Sequence, residues 1–273
     1  MLLTFTLYSS SVARGSTLFG VQNEAILAAS AVTSTGQTLI IGDLGLWPGT
    51  AITGFPPGIV QGTVNAGDAV AQQAQAYASG AYTTLAGLAF TTDLTGVDLG
   101  GLTLTPGIYH FDTSAQLTGL LTLDAQGNND ALFVFQIGST LTTASASNVQ
   151  VINGTSSTGL YWQVGSSATL GTTTNFAGNI LALASITLNT GANILCGRAM
   201  ALTGAVTLDT NIVSNDCNVS NEGSGRTDFG SYGFSGEFAE TPEPATFSLM
   251  GASLMGFVIL GWKRSRRART ILA

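Results

Sequence analysis

The chain has 273 residues, and 45% of them are hydrophobic, which is enough to bury a substantial core. Charged residues make up only 8%, about a third of the usual ~25%, so Ser, Thr, Asn, Gln and Gly must cover most of the surface. Residues 1–240 hold three basic and 14 acidic residues, a net charge of −11. This acidic body argues against nucleic acid as a partner and against an acidic substrate, because phosphate binding needs a basic patch.

The N-terminal segment, residues 1–21, is poorly defined. It is mildly apolar but makes a poor signal peptide, because no basic residue precedes its short apolar run. Two alternatives are open: a degenerate signal peptide, or a true start that lies upstream. Short strand-like runs follow at residues 31–35 and 38–41, and Gly- and Pro-rich corners separate them.

One helix is predicted between residues 66 and 89. Asn65 with Asp68 three residues later resembles a helix start, a capping side chain followed by an acid near the positive end. Apolar residues then fall on one face at helical spacing: Val70, Tyr77, Ala81, Leu85 and Leu88. A single apolar stripe implies that the helix packs along the side of the remaining structure.

A Thr-Leu pair recurs six times after the helix, in steps of 19, 18, 29, 18 and 20 residues. A nearly fixed period predicts a β-solenoid with one coil per repeat. Neighbouring residues of a strand point to opposite sides, so each Leu would face the core and each Thr the solvent. Stacked coils would then align one column of threonines: Thr103, Thr122, Thr140, Thr169, Thr187 and Thr207. A second column is predicted three residues on: Thr143, Thr172, Thr190 and Thr210. The alternative is that Thr simply suits exposed strands.

The end of the chain has the composition of a linker and a membrane-sorting tail. Residues 214–241 are rich in Gly, Ser, Asn and acids, which predicts a flexible linker. Residues 245–262 carry no charge and are just long enough to span a membrane, so a C-terminal transmembrane helix is predicted. The basic cluster after Trp262 should remain cytoplasmic. A buried helix is the alternative.

Few residues of the sequence suggest catalysis or metal binding. His110 shows no partner for acid-base catalysis, and no catalytic motif or zinc spacing is present. The segment 124–130 has alternating oxygen ligands but lacks the Gly and Glu of a calcium loop, so a polar turn is favoured. No enzyme activity, metal or cofactor is therefore expected. Cys196 and Cys217 form either one disulfide or two unpaired thiols.

Three parts occur in order in the tail: Pro242-Glu243-Pro244, the apolar span 245–262, and the basic residues Lys263, Arg264, Arg266 and Arg267. In this order of parts the tail resembles the PEP-CTERM sorting signal. The resemblance implies export, transient anchoring in the inner membrane, cleavage by an exosortase-type enzyme, and placement at the cell surface or in exopolysaccharide. It thus divides the chain into residues 1–21, a solenoid over 22–213, the linker 214–241 and the sorting signal 242–273.

The body of the chain contains a set of short segments that can be compared with known families: 26–30, 42–49, 52–58, 104–109, 121–127, 133–137, 176–182 and 197–199. In these segments the body resembles the DUF3494 ice-binding proteins. This resemblance implies a right-handed β-solenoid of roughly triangular section, with one long α-helix alongside and an ice crystal as partner. A motif of some members, Thr-Ala/Gly-x-Thr/Asn, occurs in full at Thr190-Gly191-Ala192-Asn193. The expected ice-binding residues are Thr140, Thr143, Ser145, Thr169, Thr172, Thr174, Thr187, Thr190, Asn193, Thr207 and Thr210.

These observations predict an exported, surface-sorted protein that binds ice without catalysis and inhibits ice growth or recrystallisation. The alternative is a non-catalytic extracellular matrix or adhesion module with the same fold. Stacked aromatics in an exposed groove would favour that alternative, whereas an unbroken flat Thr/Ser/Ala face would favour ice.

Overall fold

The computed structural model describes residues 21, 23–128, 131–154 and 158–215. All of them belong to one compact unit, Met1–Gly236. The sorting motif Pro242-Glu243-Pro244, the segment 245–262 and nearly all of the predicted linker lie outside the described residues. Within the described ranges, no helix is both long and apolar enough to cross a membrane.

Twenty-two strands and one helix form in this part of the chain. The first seven strands are β1 (Glu24–Ala28), β2 (Ala31–Thr35), β3 (Leu39–Ile41), β4 (Asp43–Leu46), β5 (Ala51–Thr53), β6 (Ile59–Gln61) and β7 (Val64–Ala66). The helix α1 (Ala69–Ala86) follows. The remaining strands are β8 (Thr92–Asp93), β9 (Thr103–Leu104), β10 (Gly107–Phe111), β11 (Ala115–Leu117), β12 (Leu120–Asp124), β13 (Leu132–Ile137), β14 (Leu141–Thr143), β15 (Asn148–Ile152), β16 (Gly159–Val164), β17 (Ala168–Leu170), β18 (Asn175–Ala182), β19 (Ile186–Leu188), β20 (Asn193–Ala201), β21 (Val206–Asp209) and β22 (Ile212–Ser214).

The strands stack in parallel into three faces. The threonine face is β11-β14-β17-β19-β21-β2-β5. The asparagine face contains β9, β12, β15, the first residues of β18 and β20, and then β22, β3 and β6. The helix-covered face contains β8, β10, β13, β16, the ends of β18 and β20, and then β1, β4 and β7. The prediction of a mainly β fold with one helix alongside is confirmed.

Two long strands turn a corner and so belong to two faces. β18 and β20 bend at Gly178 (φ +95°) and Gly197 (φ +152°). At Gly197 an added Cβ would lie 2.0 Å from the carbonyl oxygen of Gly178, so no larger residue fits between these coils.

The order of the coils in space differs from their order in the chain. β21 pairs with β2, β22 pairs with β3, and β1 lies between β20 and β4. The coil that contains β21, β22 and β1 therefore combines strands from both ends of the described chain, and the coils of β2–β4 and β5–β7 stack beyond it. The helix connects β7 at one end of the stack to β8 at the other.

The core between the faces is filled by the inward residues of each coil. As predicted, Leu170, Leu188 and Leu208 are buried. An aromatic stack runs through neighbouring coils, with ring centroids 5.3 Å apart for Tyr109 and Phe135 and 4.0 Å apart for Phe135 and Trp162. The indole of Trp162 donates a hydrogen bond to a backbone carbonyl at 3.0 Å. This packing fixes the strands that carry the surface residues.

The helix begins at Ala69, and its cap is Asp68, whose carboxylate accepts from the Ala71 amide at 2.9 Å. Asn65 lies in β7 and is not the cap. The predicted apolar stripe is rotated, since Val70 is 57% exposed. The buried side consists mainly of small residues, which lets the helix approach the sheet closely: Ala71, Ala74, Gln75, Ala78, Ala81 and Leu85.

Polar contacts hold the helix on its face. The Gln136 side chain donates to the carbonyl groups of Leu85 and Leu88 at 2.7 and 2.8 Å, near the end of the helix. Gln75 donates to the Ala201 carbonyl at 3.2 Å. The helix thus covers the middle of this face, whereas residues of β7 and β8 at its two ends stay exposed.

Two ionisable groups are buried on the helix-covered face. Burial, together with the charges of Asp43 and Asp68, raises the pKa of Glu24 to about 7, although Arg198 opposes this shift. Arg198 donates to Asn179 at 2.8 Å, and burial lowers its pKa to about 10. Because both groups are almost fully buried, their ionisation is tied to folding.

Candidate functional site

The threonine face carries one unbroken column of outward threonines. Strand register places six of them side by side, in the order Thr142, Thr169, Thr187, Thr207, Thr33 and Thr53. Gln116 precedes Thr142 at one end. Each threonine lies between two residues that point inward, so the column follows from the alternation along every strand.

A second column of small residues lies beside the first, because residues two positions earlier point to the same side. Its members are Ser114, Thr140, Ser167, Ser185, Ala205, Ala31 and Ala51. The Thr140 hydroxyl donates to the Ser114 hydroxyl at 2.8 Å. The two columns together form a strip of hydroxyl and methyl groups that contains no charged side chain.

The sequence pattern locates part of this strip. Thr169, Thr187 and Thr207 lie in the central column as predicted, and Thr140 lies in the flanking column. Thr103 and Thr122, however, lie in β9 and β12 of the asparagine face, in register with each other. The pattern does not reveal Thr33, Thr53 and Thr142, which complete the column. For Thr33 and Thr53 the alternation within their short strands is the only available signal.

Two predicted site residues do not reach the surface, which corrects their assignment. Thr143 is 3% exposed and Thr174 is fully buried. Their hydroxyls lie 2.8 Å apart, and the Thr143 hydroxyl also accepts from the Gly171 amide at 2.8 Å. They satisfy polar groups inside the corner between two faces and so cannot contact an external ligand.

The other predicted residues form a ridge at the corner between the threonine and asparagine faces. Ser145, Thr172, Thr190 and Thr210 are exposed there. The hydroxyls of Thr190 and Thr210 donate to Asp209, and these bonds lower the pKa of its carboxyl group. Asn193 accepts from the Ile212 amide at 2.7 Å. Part of the hydrogen-bonding capacity of the ridge hydroxyls is thus used within the protein.

The asparagine face is less uniform. Its register aligns Asn148 with Asn175, and Asn175 with Asn193. The same outward column continues with Ile212, Leu39 and Ile59. At the other end Leu120 lies in register with Asn148. This column is therefore amide-bearing in the middle and apolar at both ends, so it offers no single repeated chemical group.

The ionisable residues of the described chain form no metal-binding cluster. No group of three or more His, Cys, Asp or Glu side chains in this part of the chain is placed to hold a metal ion. His110 does have a partner, since its Nε2 lies 3.0 Å from Asp112, and its ring stacks on Phe90 at 4.6 Å. Asp124 accepts from Asn153 and from a backbone amide, which lowers the pKa of its carboxyl group and is typical of a polar turn. Asp130 lies outside the described residues.

Cys196 is disulfide-bonded. The chain holds one further cysteine, Cys217, which is outside the described residues. Cys196 lies in β20, at the corner between the asparagine face and the helix-covered face.

Comparison with known proteins places this geometry in a family. The family described as ice-binding-like matches residues 26–214. An ice-binding protein of Nostoc sp. (strain HG1) is 52% identical over 246 residues, which is 90% of this chain and 86% of that protein. Ice-binding protein 1 of Shewanella frigidimarina (strain NCIMB 400) is 35% identical over 70% of this chain and 25% of that protein.

Solved structures of ice-binding proteins also match this chain. The crystal structure of an ice-binding protein from an Antarctic biological consortium matches with a TM-score of 0.69 and 45% identity, over 77% of this chain and 96% of that chain. The ice-binding protein of the Antarctic ascomycete Antarctomyces psychrotrophicus matches with a TM-score of 0.67 and 39% identity, over 72% of this chain and 96% of that chain. The chain therefore belongs to the ice-binding-like family.

Proposed function

We propose that this protein binds ice through the threonine face, without catalysis, and thereby inhibits ice growth or recrystallisation. The observation that carries the proposal is the column of six threonines in direct register. Adjacent strands lie about 4.8 Å apart, so the hydroxyls and methyls of the column repeat at that distance. This spacing is close to a repeat of water oxygens in ice, and an array of this kind can hold water that merges with the lattice.

Rigidity supports the proposal. Threonine is β-branched and has few side-chain conformers, so little entropy is lost when the column meets a crystal. The neighbours of each threonine within its strand are mostly buried in the core, which prevents the strand from moving. Each single contact with ice is weak, and adsorption depends on many contacts that are made at once.

The uncharged strip also favours ice over an ionic ligand. Charged side chains hold hydration shells that are costly to remove, and the two columns contain none. Within the described part of the chain, the central hydroxyls make one mutual contact, from Thr33 to Thr207 at 3.5 Å. The remaining hydrogen-bonding capacity of the column is directed to solvent.

The relatives support the same function, since the proteins of Nostoc and Shewanella frigidimarina are both named as ice-binding. We extend the proposal to location. The order of Pro242-Glu243-Pro244, an uncharged span and a basic end supports export, processing by an exosortase-type enzyme, and residence at the cell surface or in the extracellular matrix.

Inhibition of ice recrystallisation by the purified protein tests the function. The wild-type protein is expected to inhibit, and the Thr187→Tyr variant to lose most of the activity while keeping its melting temperature. If neither protein inhibits at concentrations well above micromolar, the ice proposal is wrong, and the matrix or adhesion module becomes the better account.

A further inference from the structure

The corner between the threonine face and the asparagine face is lined on its inner side by polar residues. In five stacked coils, the residue directly before the asparagine-face strand is buried. In spatial order these residues are Ser147, Thr174, Ala192, Asn211 and Thr38. Four of the five are polar. Buried polar groups are stable where they are hydrogen-bonded, so these side chains must serve the coils around them.

Asn211 uses its side-chain amide on both sides. The nitrogen donates to the carbonyl groups of Asn189 and Ala192 at 2.9 and 2.7 Å, in the turn of the neighbouring coil. The oxygen accepts from the Asp209 amide in its own turn. Because Asn211 is fully buried, its removal would take a partner from the backbone groups that it serves inside the corner.

The backbone of Asn211 binds the coil on the other side. Its amide donates to the Thr38 hydroxyl at 3.3 Å, and its carbonyl accepts from the Leu39 amide at 2.8 Å. The buried Ser34 hydroxyl donates to the same Thr38 hydroxyl at 2.7 Å. We call Asn211, Thr38 and Ser34 the corner clamp. It connects three adjacent coils, which contain β19, β21 and β2.

The corner clamp lies where distant parts of the chain meet. Thr207 in β21 is in register with Thr33 in β2, and Thr33 with Thr53 in β5. Asn211 and Thr38 are 173 positions apart in the sequence. The alignment of Thr33 and Thr53 with the rest of the threonine column therefore depends on contacts across this junction.

We propose that Asn211 is a positioning residue for the threonine face. Through the corner clamp it holds Thr33 and Thr53 in register with Thr207, and so it sets the number of threonines that meet ice together. Asn211 does not touch the ice itself, because its side chain is buried. This inference rests on the proposed function and assigns a role in it to a residue that lies outside the threonine column.

Hydrogen exchange of the full-length Asn211→Ala variant tests the structural step. The amides of β2 and β3 should exchange at least tenfold faster than in the wild-type protein, whereas those of β14 and β17 should be unchanged. Ser147→Ala is the matched control. Ser147 is equally buried, and its hydroxyl donates to the Leu117 carbonyl at 2.9 Å and accepts from the Gly119 amide at 3.2 Å. This control should leave β2 and β3 unchanged.

Adsorption to ice separates positioning from general destabilisation. Each threonine withdrawn from ice weakens adsorption about fourfold, so Asn211→Ala should adsorb roughly 15-fold more weakly. Thr33→Ala with Thr53→Ala should lose the same amount. The two losses should not add, because both changes remove the same two threonines. Thr142→Ala with Thr169→Ala, in contrast, should add in full to Asn211→Ala.

Thr38→Val is a milder second variant that keeps the proposal testable if Asn211→Ala does not fold. It removes one acceptor of the corner clamp and should show the same pattern at smaller size. Unchanged exchange in β2 and β3, additive losses with Thr33→Ala and Thr53→Ala, or an equal adsorption loss in Ser147→Ala would overturn the proposal. A wild-type protein that does not adsorb would instead refute the proposed function, and the exchange rates would then decide whether the clamp aligns these strands.

Discussion

Replacement of Thr187 by Tyr is the sharpest test of the threonine face. In the column, Thr187 has Thr169 and Thr142 on one side and Thr207, Thr33 and Thr53 on the other. A tyrosine ring would project several ångströms above its neighbours and hold the face away from a crystal plane. The surface could then meet ice only by tilting, and the longest unbroken run left would be three threonines. The side chain points to solvent, so the fold should be unchanged.

The size of the effect follows from the number of threonines that no longer reach the ice. Removing one methyl group from water is worth about 0.8 kcal/mol. Withdrawing three threonines from the crystal surface then costs about 2.4 kcal/mol, or roughly 50-fold in adsorption, since 1.4 kcal/mol is tenfold. Thr53→Tyr at the end of the column leaves five threonines in a row. Only one threonine is then withdrawn from the ice, so adsorption should weaken by only about fourfold.

The assay is ice recrystallisation inhibition as a function of protein concentration. Thr122→Tyr is the matched control, because Thr122 points outward from a strand of the asparagine face. We expect Thr187→Tyr to be the weakest inhibitor of recrystallisation, Thr53→Tyr to be intermediate, and Thr122→Tyr to inhibit as well as the wild-type protein. Equal activity in Thr187→Tyr and wild type, or an equal loss in Thr122→Tyr, would refute the assignment of the face.

Three further predictions concern stability and use urea unfolding. Thr143→Val removes buried hydrogen bonds and should lower the free energy of unfolding by about 1–3 kcal/mol, yet leave the ice activity of the folded protein intact. A loss of ice activity without destabilisation would contradict its buried position. Glu24 has a higher pKa when folded than when unfolded, so it stabilises the fold fully below about pH 4.5, and this stability disappears as the pH rises through about 7. Relative to Glu24→Gln, the wild-type protein should lose about 3 kcal/mol between these limits, whereas parallel pH profiles would rule out the shift. Gln136→Ala should cost about 1–3 kcal/mol, because two helix-end carbonyl groups lose their donor, whereas Gln116→Ala on the surface should be neutral.

The repeat in the sequence is sufficient to predict the fold class and half of the central column. Thr169, Thr187 and Thr207 each precede a leucine that packs in the core, so the Thr-Leu pattern reports their orientation correctly. At Thr140-Leu141 the same pattern misleads by two positions. Thr143 occupies the inward position that leucine fills in the next coil, and the exposed column residue is Thr142.

Two further residues enter the column only because strands from the two ends of the described chain pair with each other. Thr33 and Thr53 join the column because β21, near the end of the described chain, pairs with β2. A period measured along the sequence holds no information about this long-range pairing. Likewise, the pattern of the helix cannot show that small alanines rather than Val70 and Tyr77 face the sheet, because closeness of packing decides which side is buried.

The burial of Thr143 and Thr174 illustrates a second limit. The spacing of the repeat places Thr143 in an outward column, and the resemblance to ice-binding proteins includes Thr174 among the expected ice-binding residues. In the fold they lie at a corner, where backbone amide and carbonyl groups of two coils would otherwise lack partners. A hydroxyl near a corner therefore serves the backbone as readily as it serves a ligand.

Direct adsorption to a single ice crystal tests the central claim most plainly. Fluorescently labelled wild-type protein, Thr187→Tyr and Thr122→Tyr would each be presented to a growing crystal and washed. We predict that the wild-type protein and Thr122→Tyr remain on the crystal surface and that Thr187→Tyr stays in solution with an unchanged melting temperature. Adsorption of all three proteins, or of none, would contradict the account.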